Sequence, residues 1–193
     1  MHERRENLGE KAAVKGTMVQ AHLAWGRAHV ADLDARLHEH LGREGSERVT
    51  RGILASEWFP LRELVRLDRA IATLAGGRQE WVYHELGRHS ATQNLAGAYK
   101  NFVKEEPHRF FHRMALLHEQ FQNFGRSAYE RTGDRSGRIT LEEYSEYSPV
   151  FCDSATGYYE GALAMLKVPG PVHAAETRCQ CAGDPQCLFE LSW

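Results

Sequence analysis

Four cysteines, Cys152, Cys179, Cys181 and Cys187, all fall in the last quarter of the 193-residue chain. Three of them crowd into ETRCQCAGDPQCLFELSW, Glu176 to Trp193. Zinc prefers thiolate sulfur, accepts carboxylate oxygen and closes a structural site with four ligands. Cys152, Glu176, Cys179 and Cys187 could supply such a set. Glu176 and Cys179 sit close together on one predicted strand. The turn at Gly183, Asp184 and Pro185 folds Cys187 back toward them, and Cys152 arrives from the start of a preceding helix, whose positive end favours a thiolate. Cys181 is an equally good ligand on spacing alone, because strand alternation puts it on the same face as Cys179. The plain alternative is four reduced thiols buried as small apolar groups.

The elements that must position these residues are legible from periodicity. GTMVQAHL suits either a short strand or a helix start. Trp25, Val30, Leu33, Leu37 and Leu41 then recur at helical spacing up to Gly42. Pro60 suits the first turn of the clearest helix, whose Leu61, Leu64, Val65, Leu67, Ile71 and Leu74 share a face before Gly76 and Gly77 stop it. Further helices are expected over 79–89, over 95–104 and from Pro107 to Gly125. SAYERTGDRSGRITLEEYSEY reads as two strands about a polar turn. A helix follows from Pro149 to about Leu166, then PGP, then a closing hairpin. The order predicts an α+β fold in a single domain, with helices packed on a mostly antiparallel sheet and a C-terminal β-hairpin. Residues 1–15 form a polar N-terminal segment, and 16–193 form the domain.

The C-terminal quarter resembles the 4-vinyl-reductase-type ligand-binding domain, the sensory module of aromatic-responsive sigma-54 activators. That superfamily includes TRAPP tethering subunits and is similar in fold to nitric-oxide-sensing haem domains. The matching residues are Cys152, Gly157, Tyr158 and Gly161, then Glu176 and Cys179, then Gly183, Asp184 and Cys187. The resemblance selects Cys152, Glu176, Cys179 and Cys187 as zinc ligands and leaves Cys181 as a spare thiol. It implies a structural zinc beside an apolar pocket, and a homodimer formed through a helical face. The phenol sensors of this family hold their ligand with a His and a Trp from the central helices. Here no Trp lies between Trp81 and Trp193, so that pair does not carry over.

Pocket candidates come from the middle of the chain, where Trp81, Tyr99, Phe102, Phe110 and Phe111 lie at roughly helical spacings. Phe121 and Phe124 continue the group. Aromatic residues at such spacing more often form plain core, but in a fold with an internal pocket the two roles overlap. His108 and His112, four apart, share a helix face, with His118 further on. Histidines of this kind are more often surface or hydrogen-bonded groups than ligand contacts. TGDRSGRITLEEY imitates a calcium loop, with Asp134, Ser136, Gly137 and Glu143 in place. Thr132, however, stands where the first carboxylate belongs, and a strand–turn–strand accounts for the same residues.

Composition narrows the function. The chain is 42% hydrophobic and 26% charged, with net charge −2, which argues against a nucleic-acid partner. MHERRENLGEKAAVK lacks the apolar run of a signal peptide, and no stretch is apolar enough for a membrane span, so a cytoplasmic location is expected. The sequence has no nucleophile motif, phosphate loop or HExxH. The expectation is a non-enzymatic sensory domain that binds a small apolar or aromatic molecule between helices and sheet. Its output would pass through dimerisation or a downstream protein partner. The alternatives are a TRAPP-like dimeric adaptor and, after it, a vinyl-reductase-like or thiol-redox enzyme.

Overall fold

A computed structural model describes residues 4–97 and 100–193. Six helices and six strands are described. Strand β1 (Ala13–Lys15) pairs antiparallel with β2 (Trp58–Pro60). Strands β3 (Arg126–Gly133), β4 (Ser136–Glu142), β5 (His173–Arg178) and β6 (Cys187–Ser192) form an antiparallel sheet of order β3-β4-β6-β5. The helices pack against this sheet, as an α+β fold requires. No helix among the described residues is long and apolar enough to cross a membrane.

The alternation of β4 explains its place. Gly137, Ile139 and Leu141 are buried, while the residues between them are half-buried. That pattern suits an inner strand with one face on the core. The predicted β3–β4 turn is present, held by Thr132 Oγ1 donating to Ser136 Oγ and by Arg131 pairing with Asp134. The calcium-like residues are thus accounted for by a hairpin. The C-terminal hairpin β5–β6 also forms, with Glu176 opposite Phe189.

GTMVQAHL, suited to a strand or a helix start, is the start of α1 (Gly16–His29). The helical half departs from periodicity in three places. The expected helix through Leu41 is two: the chain breaks at Asp32, in the left-handed region (φ 53°), and α2 (Leu33–Thr50) runs past Gly42 with a kink there. Helix α3 (Leu61–Ala75) begins directly after Pro60 and ends at Gly76, near its expected bounds. Two short helices expected over 79–104 are instead one long α4 (Gln79–Ala96) and a single 3-10 turn at Phe102–Lys104. Helix α5 (Pro107–Leu116) stops short of Gly125, and a 3-10 turn (His118–Gln120) leads into β3. Helix α6 (Pro149–Met165) lies where it was expected.

Helices α4 and α6 pack with their backbones in close apposition, and glycines permit it. A Cβ on Gly157 would lie 1.9 Å from the His84 carbonyl oxygen, and one on Gly87 would lie 1.8 Å from that of Ser154. Gly161 completes the contact on the next turn, 3.0 Å from the Arg88 carbonyl. Two backbones can approach this closely only where side chains are missing. Residues 4–15 are woven into the fold. Arg5 N–H donates to the Cys181 carbonyl, Asn7 bridges Tyr147, and Val14 is fully buried.

Candidate metal centre and apolar cavity

Helix α6 delivers Cys152 in its first turns, and β5 delivers Glu176. Cys179 follows the end of β5, and Cys187 opens β6. One ligand atom from each of Cys152, Glu176, Cys179 and Cys187 lies within 4.8 Å of the other three. The Cys152 sulfur is 3.8 Å from that of Cys187 and 3.9 Å from that of Cys179. Ligands at about 2.3 Å in a tetrahedron stand about 3.8 Å apart. Three cysteines and a glutamate at this spacing could hold a metal ion.

Neighbouring groups tie these residues together. After Cys179 the chain turns sharply through Gln180–Ala182 to Gly183, which takes a φ of +104°. Asp184 Oδ2 accepts the Cys179 N–H at 2.8 Å, tying the turn to the ligand. The Gln180 N–H points at the Cys187 sulfur, 3.4 Å away. Arg4 Nη1 pairs with Asp153 at 2.7 Å, and its Nη2 reaches Glu176 Oε2 at 3.1 Å and the Cys179 sulfur at 3.6 Å. Glu176 Oε1 is buried with no hydrogen-bond partner among the described residues. An orphaned carboxylate oxygen beside three sulfurs is what a cation would satisfy.

The acid–base state points the same way. Hydrogen bonds from Cys152, and then from Cys181 and Cys187, hold the Cys179 thiol far below its usual range. Burial, and next the Cys179 thiolate, push the Glu176 carboxyl up to about 8. Cys152 is driven well above the thiol range, chiefly by its hydrogen bond to Cys179. Without a cation the cluster keeps most of its protons, and binding one releases them. Cys181 lies in the 3-10 turn rather than on a strand, so the alternation expected for it does not apply. It is fully buried, with its sulfur 4.0 Å from that of Cys152.

Further along α6 the chain borders a partly open, mostly apolar cavity of about 110 Å³. Phe151, Ser154, Ala155, Tyr158 and Tyr159 of α6 form one wall. Phe110, Phe111 and Met114 of α5 face it, Ile139 and Leu141 of β4 form the floor, and Met18 and His22 of α1 with Ser90 of α4 close it. His118, Gln122 and Tyr144 make a hydrogen-bonded cluster on the wall, with the Phe124 carbonyl 3.2 Å from His118 Nε2. Burial lowers the His118 pKa and raises that of Tyr144 well above the phenol range, so both are neutral at pH 7.

Of the residues expected in a pocket, Phe110 and Phe111 are on this wall. Phe121 and His118 line it too, whereas Trp81, Phe102, His108 and His112 lie elsewhere. Trp81 is 54% exposed and rests its edge on Trp25, because it sits on the outer side of α4. Phe102 is half-buried beneath the Arg113 guanidinium. His108 fastens α5 to the β3–β4 hairpin, with Nδ1 2.7 Å from the Tyr129 hydroxyl and Nε2 3.0 Å from the Asp134 carbonyl. His112, one turn on, is exposed. Tyr99 lies outside the described residues. His22 and Ser90 carry little mark in the sequence, because they come from helices far apart in the chain and only packing brings them together.

No protein-family model matches the chain, and no curated protein does. Solved structures do. An H-NOX protein from S. oneidensis in the Fe(II)NO ligation state superposes with a TM-score of 0.70 at 13% identity, over 92% of this chain and 98% of that one. An oxygen-binding H-NOX domain related to soluble guanylate cyclases gives 0.67 at 15%, over 92% and 94%. An H-NOX protein from K. algicida gives 0.68 at 7%, over 92% and 95%. The chain therefore has the H-NOX fold.

Proposed function

We propose that the chain is a non-enzymatic sensory domain that takes a small apolar or aromatic molecule into the cavity. A structural zinc on Cys152, Glu176, Cys179 and Cys187 clips the C-terminal hairpin to α6. The observation that carries this reading is that one helix serves both places. Cys152 enters the metal cluster, while Phe151, Ser154, Ala155, Tyr158 and Tyr159 line the cavity. A ligand that displaces α6 is felt at the hairpin, and it shifts the protein only by binding two arrangements differently. Four protein ligands leave zinc no open position, so it would supply rigidity rather than catalysis.

Structures of this fold are described as haem proteins, so haem has to be tested against the residues. They do not fit it. The cavity is smaller than the ~150 Å³ void that takes up benzene, and far below the ~300–1,000 Å³ of sites for drug-sized ligands. His118, on its wall, is already engaged by Gln122, Tyr144 and the Phe124 carbonyl.

A thermal-shift screen with single-ring aromatic and alicyclic compounds tests the reading. A ligand at 100 times its Kd stabilises by about 2.7 kcal/mol, roughly 5–10 °C for a chain of this length. No shift with any ring compound would favour an adaptor whose cavity stays closed, TRAPP-like in its role.

A further inference from the structure

Two buried polar atoms, on His22 and Ser90, lack partners among the described residues, and both residues line the same cavity. His22 is 1% exposed, and its Nδ1 lies 2.8 Å from Oδ1 of Asp68, itself 2% exposed. Its other ring nitrogen, Nε2, has no partner among the described residues. Ser90, 1% exposed on α4, likewise has an unpartnered hydroxyl. A helical serine ordinarily donates to the carbonyl four residues back. Thr92 does so with Arg88, whereas Ser90 does not. Buried polar atoms are nearly always satisfied, so two orphans around one cavity imply a third party.

The charge state of the His22–Asp68 pair decides what that party is. A lone carboxylate is costly so deep in an apolar core, which favours a net-neutral pair. It is either carboxylate with imidazolium, or carboxylic acid donating to the Nδ1 of neutral imidazole. Both forms carry a proton on Nε2. The free edge of His22 is therefore a hydrogen-bond donor in either case, and Ser90 can supply a second donor from its hydroxyl.

We propose that the cavity selects a small ring molecule bearing one acceptor oxygen, a carbonyl or an ether, seated on His22 Nε2–H and Ser90 Oγ–H with its apolar body against Phe110, Phe111 and Tyr159. This rests on the reading of the cavity as a ligand site and adds the polar anchor. At about 110 Å³ the cavity is below the ~150 Å³ void that holds benzene, so it takes at most one small ring, and only as the side chains on its wall give way.

Cyclohexanone and methylenecyclohexane have nearly the same shape and differ in that one oxygen, so calorimetric titration of the full chain with each provides the test. Cyclohexanone is expected to bind at least ten-fold more tightly. Ser90→Ala is expected to cut that preference several-fold. His22→Leu with Asp68→Leu, made together so that no charge is stranded, is expected to abolish it while methylenecyclohexane still binds. If the double variant does not fold, Ser90→Ala alone decides. Equal affinity in the parent, or a preference that survives both variants, would overturn the anchor and leave the ligand site standing. Binding of neither compound would overturn both. Water alone on the two donors in a crystal grown with cyclohexanone would also overturn the anchor.

Discussion

At the scale of single residues, Arg4 does more than its place near the start of the chain suggests. Its guanidinium faces Asp153, Glu176 and the Cys179 sulfur at once, compensating negative charge that a metal with three thiolates and a carboxylate would leave in excess. Arg4→Met is expected to weaken zinc binding about 10–100-fold without unfolding the protein, measured by competition with a chromophoric chelator. An unchanged affinity would reduce Arg4 to a surface tie. His118 makes a second prediction. Burial depresses its pKa, so the unfolded chain takes up a proton near the ordinary histidine value before the folded chain does. The stability it supports is complete above about pH 6.5 and is lost as pH falls below that. Denaturation midpoints measured from pH 7.5 to pH 5 should fall by up to about 1.4 kcal/mol per pH unit from this group. His118→Gln should flatten part of that fall, and an identical slope in the variant would assign the effect elsewhere.

At the scale of elements, α6 is the member on which the account turns, and its glycines are the sharpest test of its packing. A methyl at Gly157 would overlap the His84 carbonyl, which is backbone and cannot swing aside. Gly157→Ala is therefore expected to cost about 3 kcal/mol or more, at the upper end of overpacking. Chemical denaturation checks this, and a cost under 1 kcal/mol would mean that α4 and α6 are not so closely apposed. The same helix shows what could be read without a structure. Pro149 opens it, Cys152 and the paired glycines mark its two faces, and the Gly183–Asp184 turn that returns Cys187 is local in sequence. Spacing could therefore place the metal cluster while leaving Cys181 in contention. The cavity was not legible in this way. Its wall draws on α1, α4, α5, β4 and α6, and whether an aromatic faces inward depends on how helices are rotated in their packing. Phe111 and Phe102 have the same character in the sequence, yet only Phe111 faces the space. The break at Asp32 was missed because the apolar spacing continues across it, and the left-handed residue leaves no mark in that pattern.

At the scale of the whole molecule, the fold places a candidate metal cluster and a small cavity along one helix, and the two are expected to act as a unit. Removing the metal should loosen α6 at its N-terminal end and weaken the binding of a ring ligand several-fold, read by titration before and after chelation. Unchanged ligand affinity in folded, metal-free protein would separate the two. Everything in this account depends first on the identity of the cluster, which X-ray absorption at the zinc edge addresses directly, on protein purified without chelator or metal-affinity resin. The predicted spectrum shows about one zinc per chain with three sulfur neighbours near 2.3 Å and one oxygen near 2.0 Å, and loses this shell in Cys187→Ser. Protein without zinc, or a shell of four sulfurs that puts Cys181 in the place of Glu176, would contradict it.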